Sequence, residues 1–189
     1  MKVSAIGLSA LGAQVAGTVD SVGPETNGFA RGDRVAYPTA RPTGADRAIV
    51  DQGELIGIPA DVSLDAAACL FPCAMLARTV VKQLHNVGRG DRVRVVDEPV
   101  VGPFLRAWAE HLGSTVVNED ADVVLTADDI RSARALRPSH GLRQQNAADV
   151  FAAIRSGAFD GIAVSSLDEA RHGARTPVLL RPAEVTLAA

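Results

Sequence analysis

The stretch VRVVDEPVVGPFLRAWAEHLG, residues 93–113, decides the fold. A short apolar run enters a turn, and a helix with Leu105, Trp108 and Leu112 at core spacing leaves it. That is the strand–turn–helix layout of a nucleotide-binding unit. Glycines have separate tasks in such a turn. One permits the tight bend, one lets backbone approach phosphate, and one lets the helix pack on the strand. Phosphate then rests on free N–H groups at the helix start. Here Asp97, Glu98, Pro99 and Val100 occupy the turn, followed by Val101 and Gly102. Pro99 and Pro103 bring no N–H donor, and Val100 adds a branched side chain where a ligand would lie. Asp97 and Glu98 either repel phosphate or cap the helix.

Working outward, the 189 residues, 47% of them apolar, suffice for one domain or two small ones. With 19 basic and 22 acidic residues the net charge is -3, and no basic tail or stripe recommends a nucleic-acid partner. No apolar segment is long enough to span a bilayer and no secretion cleavage pattern stands at the start, so the expectation is a cytoplasmic chain without a membrane partner. Cys69 and Cys73 lie in one apolar stretch and read as small buried residues, although one disulfide between them is open. Four scattered histidines make no metal cluster.

Residues 1–60 read as short strands with glycine-rich turns: 2–7, 15–22, 34–37 ending at Pro38, and pieces at 48–50 and 55–58. Ser63 caps a helix over SLDAAACLF, which Pro72 ends or kinks before helix resumes over 73–84. Strands follow at 93–96, 114–117 and 122–126, with the helix 104–112 between the first two, an order that predicts a parallel sheet. Residues 130–146 show no firm pattern. A helix over 147–155 stops at Gly157. A strand at 162–164, a helix at 167–175 and a strand at 178–180 complete the chain.

Several segments carry a resemblance. QVAGTVDSVGPETNGFARGDRVAYPT (14–39), ELIGIPADVSLDAAACLF (54–71), VGRGDRVRVV (87–96), FLRAWAEHLGSTVV (104–117) and FAAIRSGAFDGIAVSSLDEARHGARTPVLLRP (151–182) resemble, in this order, the quinone oxidoreductases of the medium-chain dehydrogenase/reductase superfamily. The resemblance implies an α/β chain: a truncated medium-chain dehydrogenase/reductase fold with a reduced GroES-like β region and an incomplete Rossmann-like parallel sheet. The expected domains are a catalytic-domain remnant at 1–60, a reduced Rossmann-like domain at 61–164 with connecting helices at 61–85, and a C-terminal helix and strand at 165–189 packing back on the fold. Two omissions stand out. KVSAIGLS (2–9) resembles a strand well inside full-length members, yet it joins ALGAQVAG almost directly. After Val117 the family continues with further strands and helices, whereas here one strand precedes the C-terminal match.

The family's cofactor positions are altered. Pro99, Val100, Val101 and Gly102 form a degenerate phosphate turn. Met75-Leu76-Ala77-Arg78 matches a Leu-Thr-Ala-Tyr run that the family places near nicotinamide. Asn118, Glu119 and Asp120 follow the second strand, where NADPH users carry basic residues. Together these imply no cofactor, with NADPH as the alternative.

Four residues are candidates for chemistry. Tyr37 matches an aromatic position near the family's pocket and offers a phenol donor or a stacking surface; packing is its other reading. Asp97 and Glu98 lie beyond the carboxyl end of a parallel strand, where open α/β folds place ligands, and a desolvated carboxylate there serves as acid or base. His140, in RPSHGL, transfers protons near neutral pH if it borders the same cleft. His85 and His111 read as caps or surface groups. Asp33 and Asp91 sit in matching Gly-Asp-Arg turns and read as structural. Three functions follow. The first is cofactor-independent cyclisation, isomerisation or dehydration of a polyketide-like or aromatic metabolite, as in secondary metabolism. The second is a minimal NADPH-dependent quinone or enone reductase, and the third a non-catalytic binding or partner protein. A homodimer is expected, because a shortened parallel sheet leaves edges that need cover.

Overall fold

Lys2–Ser9 (β1) and Gly12–Thr18 (β2) are runs of small and β-branched residues that pair antiparallel, Ile6 opposite Val15. They belong to a computed structural model that describes residues 1–9, 11–39, 45–96, 98–136, 138–166, 169 and 176–180. β2 pairs with Arg34–Thr39 (β3), and β3 with Ile56–Gly57 (β4). β3 runs through Pro38 instead of stopping before it. β4 pairs only with Val35 and Ala36, so the missing N–H of Pro38 falls beyond that ladder. The strand expected over 15–22 ends at Thr18, and no strand forms over 48–50.

Ser63 Oγ accepts the Ala66 N–H at 3.0 Å and opens helix α1, Leu64–Cys69. The chain breaks at Leu70, and Pro72 lies in the first turn of α2, Phe71–Arg78. Cys69 and Cys73 therefore sit on different helices, both buried and unbridged. A wider helical turn, Thr79–Leu84, continues from α2.

Arg92–Val95 (β5) leads to helix α3, Gly102–His111, then to Thr115–Val116 (β6) and Val123–Leu125 (β7). These strands form the parallel sheet, in the order β6-β5-β7. Along β5, Val93 and Val95 are buried while Arg92 and Arg94 are exposed. The sheet thus buries one face, unlike parallel sheets covered on both. Trp108 of α3 is buried, and its Nε1–H donates to the Ala74 carbonyl at 2.7 Å, tying α3 to α2.

The stretch without a sequence pattern is helical. Thr126 and Asp129 form a reciprocal capping box that opens α4, Ala127–Ala135. Ser139 caps α5, His140–Arg155, which ends before Gly157 at φ +77°. No strand forms at 162–164; Ser165 instead bridges Val178. The helix expected at 167–175 lies, apart from Glu169, outside the described residues. Val178–Leu180 (β8) pairs antiparallel with β1, giving a sheet ordered β4-β3-β2-β1-β8.

One continuous core joins the two sheets. It runs from Ala5, Ala16 and Ala36 through α1 and α2 to Val93, Phe104, Val150 and Phe151. Phe71 stacks on Phe151 with ring centroids 5.0 Å apart, which docks α5 on α2. Among the described residues no helix is long and apolar enough to cross a membrane.

Candidate functional site

The turn between β5 and α3 is closed by its own side chain. Glu98 Oε2 accepts N–H bonds from Val100 at 3.0 Å, from Gly102 at 3.0 Å and from Val101. These donors open α3, where backbone N–H groups and the helix dipole favour an anion. The carboxylate of Glu98 is that anion. Glu98 therefore caps the helix, one of the two alternatives left by the sequence. Asp97 lies outside the described residues. Beyond β6, Asn118, Glu119 and Asp120 are exposed and offer two carboxylates where an added phosphate wants cations. The residues present do not fit a dinucleotide pyrophosphate in the usual seat, nor an extra phosphate beyond it.

The other candidates lie elsewhere. Tyr37 is half-buried on β3 against Val3, Ile6, Val15 and Val178, and burial pushes its hydroxyl pKa up. Its strand neighbour Ala36 faces the main core, so Tyr37 points to the opposite side of the sheet. His140 is exposed at the first turn of α5, and its Nδ1 lies 2.8 Å from the Gly53 carbonyl. The expected gathering of Tyr37, Glu98 and His140 in one cleft does not occur. Strand alternation turns Tyr37 away, the helix start engages Glu98, and α5 carries His140 to the short 3-10 helix Gln52–Glu54.

The structural aspartates behave as their turns suggest. Asp33 Oδ2 accepts the Ala30 N–H at 2.8 Å, and Asp91 Oδ2 accepts the Gly88 N–H at 2.8 Å. His85 Nε2 lies 2.8 Å from Asp129 Oδ1. Burial drives the Asp129 carboxyl up, but bonds from His85 and Thr126 outweigh it and hold the pKa below its ordinary value. Burial pushes the Cys73 thiol up to about 12; a hydrogen bond with Ser9 opposes the rise and the charge of Glu98 adds to it. Cys73 is thus a thiol at neutral pH and no nucleophile.

A cavity of about 420 Å³ lies between the antiparallel sheet and helices α2 and α5. Gln14, Pro38 and Ile56 form one wall. Phe71, Met75, Leu76 and Thr79 form a second, and Leu136, Leu142, Arg143 and Asn146 a third. Neither Tyr37, Glu98 nor His140 is among its lining residues. Met75 and Leu76 belong to the run that the sequence resemblance sets beside nicotinamide. The fourth residue of that run, Arg78, turns instead to Asp149, with Nη2 at 2.6 Å and Nε at 3.0 Å.

Sequence reasoning missed Gln14, Arg143 and Asn146. Gln14 is a lone amide inside an apolar strand, a pattern that marks a special position. Arg143 and Asn146 fall where no periodicity was visible, and the cap at Ser139 was the available signal.

No family model matches the chain. It is 31% identical over 154 residues to 2-haloacrylate reductase from Burkholderia sp, covering 78% of this chain and 45% of that protein. It is 30% identical over 112 residues to quinone oxidoreductase from Pseudomonas aeruginosa, covering 58% of this chain and 34% of that protein. The chain thus spans less than half the length of these curated relatives. Its fold matches mycobacterial Rv1454c complexed with NADPH at a TM-score of 0.72 and 22% identity, over 96% of this chain and 90% of that chain. An antiparallel sheet, a small parallel sheet on a shared core and these likenesses agree: the chain is a homologue of quinone oxidoreductase and 2-haloacrylate reductase and has the fold of medium-chain dehydrogenase/reductase quinone oxidoreductases.

Proposed function

We propose that this chain uses the oxidoreductase scaffold without NADPH and takes an apolar or aromatic small molecule into the cavity beside Met75 and Leu76. One observation carries the reading: the Glu98 carboxylate holds the N–H groups that a dinucleotide fold offers to pyrophosphate. A phosphate seated there must displace a carboxylate of the same chain. Three such bonds, partly open to water, are together worth about 3 kcal/mol, a weakening of about a hundredfold.

Cyclisation, isomerisation or dehydration needs a proton acceptor at the substrate. Among the described residues, the polar groups around the cavity are amides, a hydroxyl and a guanidinium. They favour placing a ligand and polarising its oxygen over removing a proton. The reading therefore centres on selective binding of a small molecule.

The second reading is an NADPH-dependent quinone or enone reductase. It is favoured by relatives named 2-haloacrylate reductase and quinone oxidoreductase, and by the fold shared with a protein complexed with NADPH. Calorimetric titration of the folded protein with NADPH and NADH separates the two. No binding at high micromolar cofactor is expected. Micromolar binding overturns the first reading and restores the reductase, to be assayed by NADPH consumption with quinones and enones.

A further inference from the structure

We propose that the cavity selects apolar monocarboxylates, with the carboxylate taken by Gln14 and Arg143; this rests on the reading that the cavity holds a small molecule. Gln14 is only 3% exposed, yet its Nε2 has no hydrogen-bond partner. Arg143 donates from Nη2 to the Gly53 carbonyl at 2.7 Å, while its Nε is buried and unpartnered. Both residues line the same cavity, from β2 and from α5. A buried donor without an acceptor is costly, and native proteins leave few of them. Two such donors around one apolar space call for a ligand with two acceptor oxygens.

The sign of the field selects the anion. Among the described residues, no aspartate or glutamate lines the cavity. Glu54 touches Arg143 at 3.5 Å, but its side chain is 54% exposed, so it neutralises the guanidinium weakly. A neutral carbonyl oxygen can accept from a donor and be polarised by it, but it carries no net charge to set against the guanidinium. A carboxylate brings two oxygens and a charge-assisted bond to the guanidinium. Ile56, Phe71, Met75, Leu76 and Leu142 receive the apolar body, and the volume suits a molecule of medium size. Leu142 and Arg143 lie between the stretches that resemble the family, whereas Gln14 opens one of them, so the charged half of the headgroup site comes from this chain's own segment.

The test is calorimetric titration at neutral pH with octanoate and with octanol, its neutral counterpart. Octanoate is expected to bind about tenfold tighter or more, the equivalent of one charge-assisted bond. Arg143→Met is expected to bring octanoate down to the affinity of octanol and to leave octanol unchanged. If that variant fails to fold, Glu54→Gln replaces it. Removing the partial neutraliser should then tighten octanoate binding by about twofold or more. Equal affinities in the wild type, or octanoate binding indifferent to these substitutions, overturn the proposal. Failure of both probes overturns it together with the cavity reading, whereas the NADPH titration reports on Glu98 independently.

Discussion

At the scale of single residues, side chains of the chain itself engage the start of α3 and the Arg78 guanidinium. Glu98 fills the α3 donors, and Arg78 is held by Asp149. The Arg78 side chain is 9% exposed and Asp149 is 40% exposed; Lys82 adds a third charge at 3.0 Å. Burial drives the Asp149 carboxyl up, but Arg78 and Lys82 outweigh it and hold its pKa below the ordinary value. The sign follows directly. As pH falls, the unfolded chain takes up this proton before the native chain does, so the stability from Asp149 is present above the unfolded pKa of about 4 and fades through the native pKa. Asp149→Asn should cost about 1–2 kcal/mol at neutral pH, after allowing for water around the carboxylate. Urea unfolding across pH should show the difference from wild type shrinking in acid; an equal cost at all pH values contradicts the pairing.

At the scale of elements, the first sheet is tied to the helices by a close backbone approach. A Cβ at Gly7 of β1 would collide with the Ala68 carbonyl of α1. Gly7→Ala should therefore destabilise by about 3 kcal/mol and lower Tm by roughly 10 °C. An unchanged Tm in a thermal melt contradicts this packing. The elements legible in the sequence had local signals: Ser63 before α1, Pro72 at the break, and alternating Val93 and Val95 before α3. The missed helix α4 buries only Ile130 and Ala133 and is otherwise polar, so periodicity is faint and the Thr126–Asp129 capping box was the cue. The cavity was not legible. Gln14 and Arg143 meet one space only because α5 docks against the sheet, a long-range contact that neither segment records. Tyr37 shows the same limit: alternation says that it faces away from Ala36, but not which face the cavity takes.

At the scale of the whole molecule, two sheets share one core in a chain spanning less than half the length of its curated relatives. The scaffold keeps the order of strand, turn and helix that seats a dinucleotide, and seats a side chain there instead. The most direct test is an amide proton–nitrogen NMR titration of the protein with NADPH. The Val100, Val101 and Gly102 peaks are expected to stay in place at cofactor concentrations up to the high micromolar range. Saturable shifts of those three peaks would contradict the account, because they would mean that phosphate displaces Glu98 from the start of α3.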